Sequence, residues 1–343
     1  MVKSCLGLDI GHATIKLVEA QRKGKGVVIT RYGSIPTPEK SYLKSKILNV
    51  DGIAQSVRTL VKNMGTTTKS VCLGLTSSEI VIKTITMPNM QTKELEQALE
   101  FELHDHVGFA YNSPKEVAFS YDVMHKDATQ QTILLVACKR EVIEPYMSIV
   151  DKAGLDLAII DIQALALPRV SPQIRSSCFI DIGSLQTTIY IQQNDEFKVY
   201  RILPLGMEHL INGLSEAYSE QYAQSKALLF KEDISDLMTN GTGTKGTLRA
   251  FIGQLVGGVL QTLDFFRAQE RASNIDEVLD SVCLVGGVAH VKGIDKLLNE
   301  EVDISVEVLN PFTVVGCTPD MVAPLDYATY ASATGLAIRG LEQ

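Results

Sequence analysis

The sequence predicts an α/β protein of two lobes closed around a cleft, and three observations carry that reading. The chain has 343 residues, more than one hydrophobic core usually serves, so two domains are expected. A short pattern returns half a chain later: Leu6-Gly7-Leu8-Asp9-Ile10-Gly11 is echoed by Phe179-Ile180-Asp181-Ile182-Gly183. Between and after the echoes, β-branched runs alternate with segments of helical period, the arrangement of α/β lobes.

Composition narrows the class. Hydrophobic residues make up 45% of the chain and charged ones 21%, the balance of a folded globular protein. No apolar stretch reaches the eighteen or so residues of a membrane span, and the first apolar run, Cys5-Leu6-Gly7-Leu8, is broken at Asp9, so no signal peptide is expected. The expectation is a cytoplasmic protein. Cysteines stand at 5, 72, 138, 178, 283 and 317 with no CxxC pair, which reads as buried free thiols in a reducing compartment. A net charge of −8 without a basic cluster argues against nucleic acid as a partner.

Each echo reads as a strand, a tight glycine-containing turn and a returning strand: Ile15-Lys16-Leu17-Val18 answers the first turn, Thr187-Thr188-Ile189-Tyr190-Ile191 the second. Val27–Thr30 follows as a strand, then a helix capped by Asp51 with Ile53, Val57, Leu60, Val61 and Met64 on one face, then a buried strand at Val71–Leu75. From Glu79 the pattern changes to an alternating strand, a helix capped by Thr92 with Leu95, Leu99 and Leu103, two more strands and a helix Arg140–Ala153. Residues 79–153 read as an inserted subdomain. In the second half a strand near Phe197–Ile202 precedes a helix from Met207, and the polar stretch Thr239–Thr244 introduces the longest helix, with an apolar stripe from Leu248 to Phe266. Val282–Val285 is a strand, turned by Gly286-Gly287 into a helix over His290–Glu300.

A triphosphate held between lobes needs backbone N–H donors at close range, which a glycine-containing turn supplies. Asp9-Ile10-Gly11-His12-Ala13-Thr14 and Asp181-Ile182-Gly183-Ser184 fit that need, with the hydroxyls of Thr14, Ser184 and Thr187 as further donors. The two aspartates suit Mg²⁺ held through its own waters, because this ion dehydrates reluctantly. Lys16, returning from the first turn, is placed to reach a phosphate, although a lysine in a strand commonly serves a solvated face. Gly286-Gly287-Val288 offers a flat wall for a purine.

The order and wording of these motifs resemble the actin-like ATPase superfamily, and within it the PilM and FtsA branch. The opening Gly7-Leu8-Asp9-Ile10-Gly11, the Met87-Pro88 before Glu94-Leu95, and the closing Ala333-Thr334-Gly335-Leu336-Ala337-Ile338-Arg339-Gly340 are similar to the PilM family of type IV pilus assembly proteins. FtsA usually carries a C-terminal amphipathic membrane helix, and no such segment follows Gly340. The resemblance implies a two-lobed actin-like (ribonuclease-H-like) α/β fold with an inserted α+β subdomain in the first lobe. Its expected division is 1–78 and 154–175 in the first lobe, 79–153 inserted, 176–311 in the second lobe and 312–343 returning to the first. ATP and Mg²⁺ are the implied cofactors. The implied partner is the cytoplasmic N-terminal peptide of a PilN-like inner-membrane protein, docked near the insertion, so that the membrane is met only through that partner. The resemblance also leaves room for self-association.

Departures from the family pattern point to nucleotide binding rather than fast turnover. Tyr222-Ala223-Gln224-Ser225-Lys226 lacks the acid that often holds the ribose, Asp161-Ile162-Gln163 replaces Asp-x-Glu, and the glycine pair expected after the second hairpin reads Gly206-Met207. Gln163 is the candidate to orient an attacking water, or else a capping or packing residue. Asp161 is the one base available to the competing reading, a sugar or acetate kinase. A scaffold without nucleotide, like the secretion protein GspL, is the third reading. His104-Asp105-His106 does not share a helical face and reads as no metal site.

Overall fold

The computed structural model describes residues 3–24, 26–43, 46–240 and 245–342. Its first sheet is a meander of Ser4–Ile10, Thr14–Lys23 and Gly26–Pro36, extended on the other side of the first strand by Ser70–Leu75 and Asp156–Ile162, both parallel. Successive side chains point to opposite faces of a strand, and both faces are covered. Leu6, Leu8 and Ile10 enter one core with the helix Val50–Met64, which buries Ile53, Ala54, Val57, Leu60 and Val61. Cys5 and Cys72 enter another under the closing helix Ala331–Leu341, which brings the end of the described chain back to its beginning. The N-cap of Val50–Met64 is Asn49, whose side chain accepts from the Gly52 N–H at 2.9 Å. Asp51, the expected cap, lies in the first turn, where its charge meets the positive end of the helix dipole.

Between the paired strands Ser70–Leu75 and Asp156–Ile162 the chain leaves the sheet and builds a second one, of Val81–Pro88, Gln130–Lys139 and Val117–Lys126 in that order. The helix Thr92–His106 covers it with Leu95, Leu99 and Leu103. Its cap is Gln91, whose N–H donates to the Glu94 carboxylate at 3.2 Å, and Thr92 is the first helical residue. This is the α+β insertion. The helix Arg140–Ala153, expected to close it, instead buries Tyr146, Ile149, Val150 and Ala153 in the core of the first lobe. The insertion's own core ends with the strand Gln130–Lys139. His104 stacks on Tyr111 at 4.0 Å and His106 lies 3.6 Å from Glu102; no cluster of three or more His, Cys, Asp or Glu side chains placed to hold a metal ion occurs among the described residues.

The second lobe repeats the first. Ser177–Ile182, Thr187–Gln193 and Glu196–Leu203 form the antiparallel meander, and Ser281–Val285 and Val306–Val308 extend it in parallel. Laid side by side, the two five-stranded sheets have the same order and strand directions. Ile180 and Ile182 face a core closed by the helix Lys245–Gln269, through Leu248, Phe251, Ile252, Leu255, Val259, Leu263 and Phe266. Phe179, Tyr190, Cys283 and Val285 face the other way, into a core shared with the first lobe. The polar stretch thought to introduce the long helix falls partly on residues 241–244, outside the described residues. The helix expected over His290–Glu300 is divided into a 3-10 turn, Gly287–His290, and a helix, Ile294–Glu301. All six cysteines are free, five of them buried.

Candidate nucleotide cleft

The C-terminal ends of adjacent parallel strands deliver the site, the place where open α/β sheets bind ligands. In the first lobe Asp9 is in register with Gly74, and Gly74 with Asp161, so Thr76 and Gln163 follow two residues beyond that level, past the ends of the next two strands in the sheet. In the second, Asp181 is in register with Val285, which places Gly286 at its flank. Both hairpin turns close with the same bond: the Gly11 N–H donates to the Thr14 carbonyl at 3.1 Å, and the Gly183 N–H to the Gln186 carbonyl at 3.0 Å. The two turns border one cavity of about 700 Å³ between the lobes.

Charge at the floor is unbalanced. Asp9 holds Lys16 at 3.1 Å through Oδ2 and accepts from the Gln163 side-chain amide at 2.6 Å through Oδ1. The Gln163 carbonyl accepts from the Thr76 hydroxyl. Asp181 has no basic partner among the described residues; its Oδ2 lies 3.4 Å from the Ser332 hydroxyl. Burial, and then the Asp9 charge, push the Asp181 carboxyl up to about 6, against the opposing pull of Lys16 and Ser332. Two carboxylates bordering one cavity, with Lys16 paired to Asp9 alone, fit a hydrated divalent cation, whose charge would favour ionisation of both.

The sequence candidates fall into two groups. Asp9, Gly11, His12, Ala13, Thr14 and Lys16 border the cavity from the first turn, Asp181, Gly183 and Ser184 from the second, and Gly286 and Gly287 from the strand end, with Gln163 between Asp9 and Thr76. His12 packs against Tyr42 at 4.3 Å, and the Ser184 hydroxyl donates to Glu208 at 2.8 Å. Three candidates lie elsewhere. Thr187 is fully buried and donates to the Leu205 carbonyl at 2.8 Å; strand alternation gives the cleft position to Thr188 instead. Val288 packs into the second-lobe core. Gly206 stands behind the second turn, where an added Cβ would lie 2.4 Å from the Ser184 carbonyl oxygen, so it supports the turn and does not border the cavity.

Reasoning on sequence missed Ser332, Thr76 and His290, which also border the cavity. His290 Nε2 accepts from the Ala328 N–H at 3.1 Å, and burial lowers the histidine's pKa. Gly286 adopts a φ of 85°, and a Cβ there would lie 2.4 Å from Asp181 Oδ1, so the close approach of this wall to the carboxylate requires glycine. Gln224, at the position of the absent ribose acid, accepts from the Gln221 N–H at 3.0 Å and caps its own helix, while Lys226 borders the cavity. Asp161, the base of the kinase reading, lies 3.5 Å from Arg339 and does not border the cavity.

Duplicated five-stranded sheets with a cleft between them define the class, the actin-like ATPase fold. Solved structures share it along nearly their whole length: the ethanolamine utilization protein EutJ of Carboxydothermus hydrogenoformans at 15% identity, covering 98% of this chain and 90% of that one with a TM-score of 0.60, and MreB5 of Spiroplasma citri bound to AMPPNP at 11% identity, covering 98% and 96% with a TM-score of 0.56. The family described as "Type IV pilus assembly protein PilM" matches residues 7–341, and the chain belongs to that family. A chain of a "PilM-PilN type IV pilus biogenesis complex" matches with a TM-score of 0.84 at 22% identity, covering 99% of both chains. The cell division protein FtsA of Bacillus subtilis (strain 168) is 20% identical over 351 residues, covering 89% of this chain and 78% of FtsA.

Proposed function

We propose that this protein is a nucleotide-binding scaffold of type IV pilus assembly, which holds ATP with Mg²⁺ in the interlobe cleft and engages the cytoplasmic N-terminal peptide of a PilN-like inner-membrane protein. The observation that carries the nucleotide half is the pair of carboxylate-bearing turns facing one cavity of about 700 Å³, a volume in the range of small-molecule and cofactor sites. Asp9 and Asp181 would hold Mg²⁺ through its waters, and Lys16 would meet a phosphate. Backbone groups of the turns 11–14 and 183–186 would line the phosphate path, and Gly286-Gly287 would support the base. The bound ion supplies charge neutralisation to the phosphates. Supporting evidence for the nucleotide is the AMPPNP bound to the fold relative MreB5, and for the partner the PilM–PilN complex with this fold. No helix among the described residues is long and apolar enough to cross a membrane, so a peptide from a membrane protein would provide the attachment.

Ligand linkage provides the test, because a ligand that binds only the folded state stabilises it by mass action. At a hundredfold excess over its dissociation constant, Mg-ATP is expected to add about 2.7 kcal/mol, read as a raised melting temperature. A melting curve unmoved by millimolar Mg-ATP, together with no co-purifying nucleotide, would reject the nucleotide half.

A further inference from the structure

Asp9 is gripped from two sides, and one grip leads out of the cleft. Its Oδ2 receives Lys16 and its Oδ1 receives the Gln163 amide. An ionised carboxylate only accepts hydrogen bonds, so the amide nitrogen of Gln163 must face Asp9, and the carbonyl end must then face away. What waits there is the Thr76 hydroxyl, donating to Gln163 Oε1. Strand register sets up the chain of contacts, since Asp9 is level with Gly74 and Asp161 on the neighbouring parallel strands, and Thr76 and Gln163 each follow two residues further on, just past the strand ends. Gly74 makes room for it: a Cβ there would lie 2.6 Å from Gln163 Cγ. Thr76 and Gln163 are each half-buried and belong to none of the apolar cores.

We infer that Thr76 is a positioning residue for Asp9, acting through the side-chain amide of Gln163, and that this relay sets how tightly the cleft holds a divalent cation with its nucleotide. The inference rests on the nucleotide reading. A glutamine side chain has three rotatable bonds, and fixing both ends of its amide removes the freedom that would let Asp9 turn away from the ion's water shell. Partners of this outer kind typically change metal affinity by 10–100-fold when removed. The relay also commits the Gln163 carbonyl to Thr76, so Gln163 serves the carboxylate and not an attacking water.

The experiment measures the affinity of the full chain for ATP, with Mg²⁺ and with the metal chelated, in wild type, Thr76→Val, Thr76→Ser, Gln163→Leu and the double variant Thr76→Val/Gln163→Leu. Thr76→Val is expected to weaken Mg-ATP binding roughly tenfold and to leave metal-free ATP binding unchanged, with Thr76→Ser restoring the wild-type value. The double variant is expected to bind Mg-ATP no more weakly than Gln163→Leu alone, because two members of one relay are not additive. If Thr76→Val fails to fold, Gln163→Leu must show the same Mg²⁺-dependent loss. Wild-type Mg-ATP affinity in Thr76→Val, equal losses with and without metal, or additive losses in the double variant would overturn the relay. A wild type that binds neither form of ATP would overturn the nucleotide reading itself, and the relay with it.

Discussion

At Asp181, burial and a like charge both oppose ionisation, and the consequence for stability has a definite sign. The carboxyl rises from 3.8 to about 6 in the fold, so the folded state binds the proton more tightly than the unfolded chain does. Between about pH 4 and 6 the native state then carries more protons, and stability falls as pH rises across that window and stays at the lower level above it. The two-unit difference sets an upper bound of about 3 kcal/mol, which access of solvent to the cleft will reduce. Asp181→Asn is expected to remove the decline, melting above wild type at pH 7 to 8 without nucleotide and losing the shift given by Mg-ATP. A variant less stable than wild type at pH 7, with or without nucleotide, would instead make Asp181 a turn former. Asp9 and Asp181 were legible in the sequence because each shares a short turn with its glycine. Thr76 and Ser332 were not, since they reach the cleft from strand and helix ends 67 and 151 residues away from the aspartates they serve.

Elements were legible where one periodic face met one core, as in Lys245–Gln269 and Thr92–His106. The helix Thr92–His106 permits a clean test of that rule, because Leu99 is fully buried and Phe101, two residues on, is 87% exposed. Leu99→Ala is expected to cost about 2–5 kcal/mol and Phe101→Ala to stay within about 0.5 kcal/mol, measured by denaturant unfolding followed with a probe in the insertion. Equal costs would mean that the helix does not present these faces. Arg140–Ala153 was misplaced because its amphipathic pattern says that one face is buried but not in which core; the contact with Val50–Met64 is tertiary information. The second-lobe helix, expected from His290, was drawn too long at its start, since His290 ends a 3-10 turn and the helix begins only at Ile294, after Gly293 in the left-handed region. There His290 Nε2 accepts from the Ala328 N–H, a tertiary contact that local sequence does not announce.

Across the whole molecule, duplication explains why two turns far apart in sequence converge: equivalent sheets carry equivalent hairpins, and the helix Ala331–Leu341, which returns to the first sheet, carries Asp181's partner Ser332 in its first turn. The insertion breaks this symmetry. It adds a sheet and a core of its own, touching the first-lobe core through Cys138 at the end of its middle strand, and structure of that kind commonly serves binding. Phe101, 87% exposed, and Val123, 40% exposed, leave apolar surface on it. A short segment ordering itself there would bury apolar side chains but lose chain entropy, which favours moderate affinity. A peptide from the cytoplasmic N-terminus of a PilN-like protein is therefore expected to bind with micromolar affinity, about −8 kcal/mol, measured by calorimetry on the full chain. Phe101→Glu and Val123→Glu place charge at two exposed apolar positions of the insertion, neither of which borders the cleft, so the peptide affinity should fall while the Mg-ATP melting shift persists. Peptide binding unchanged by both substitutions would move the docking site off this face. No heat of binding to a folded, nucleotide-loaded chain would reject the peptide as partner, whatever the cleft binds.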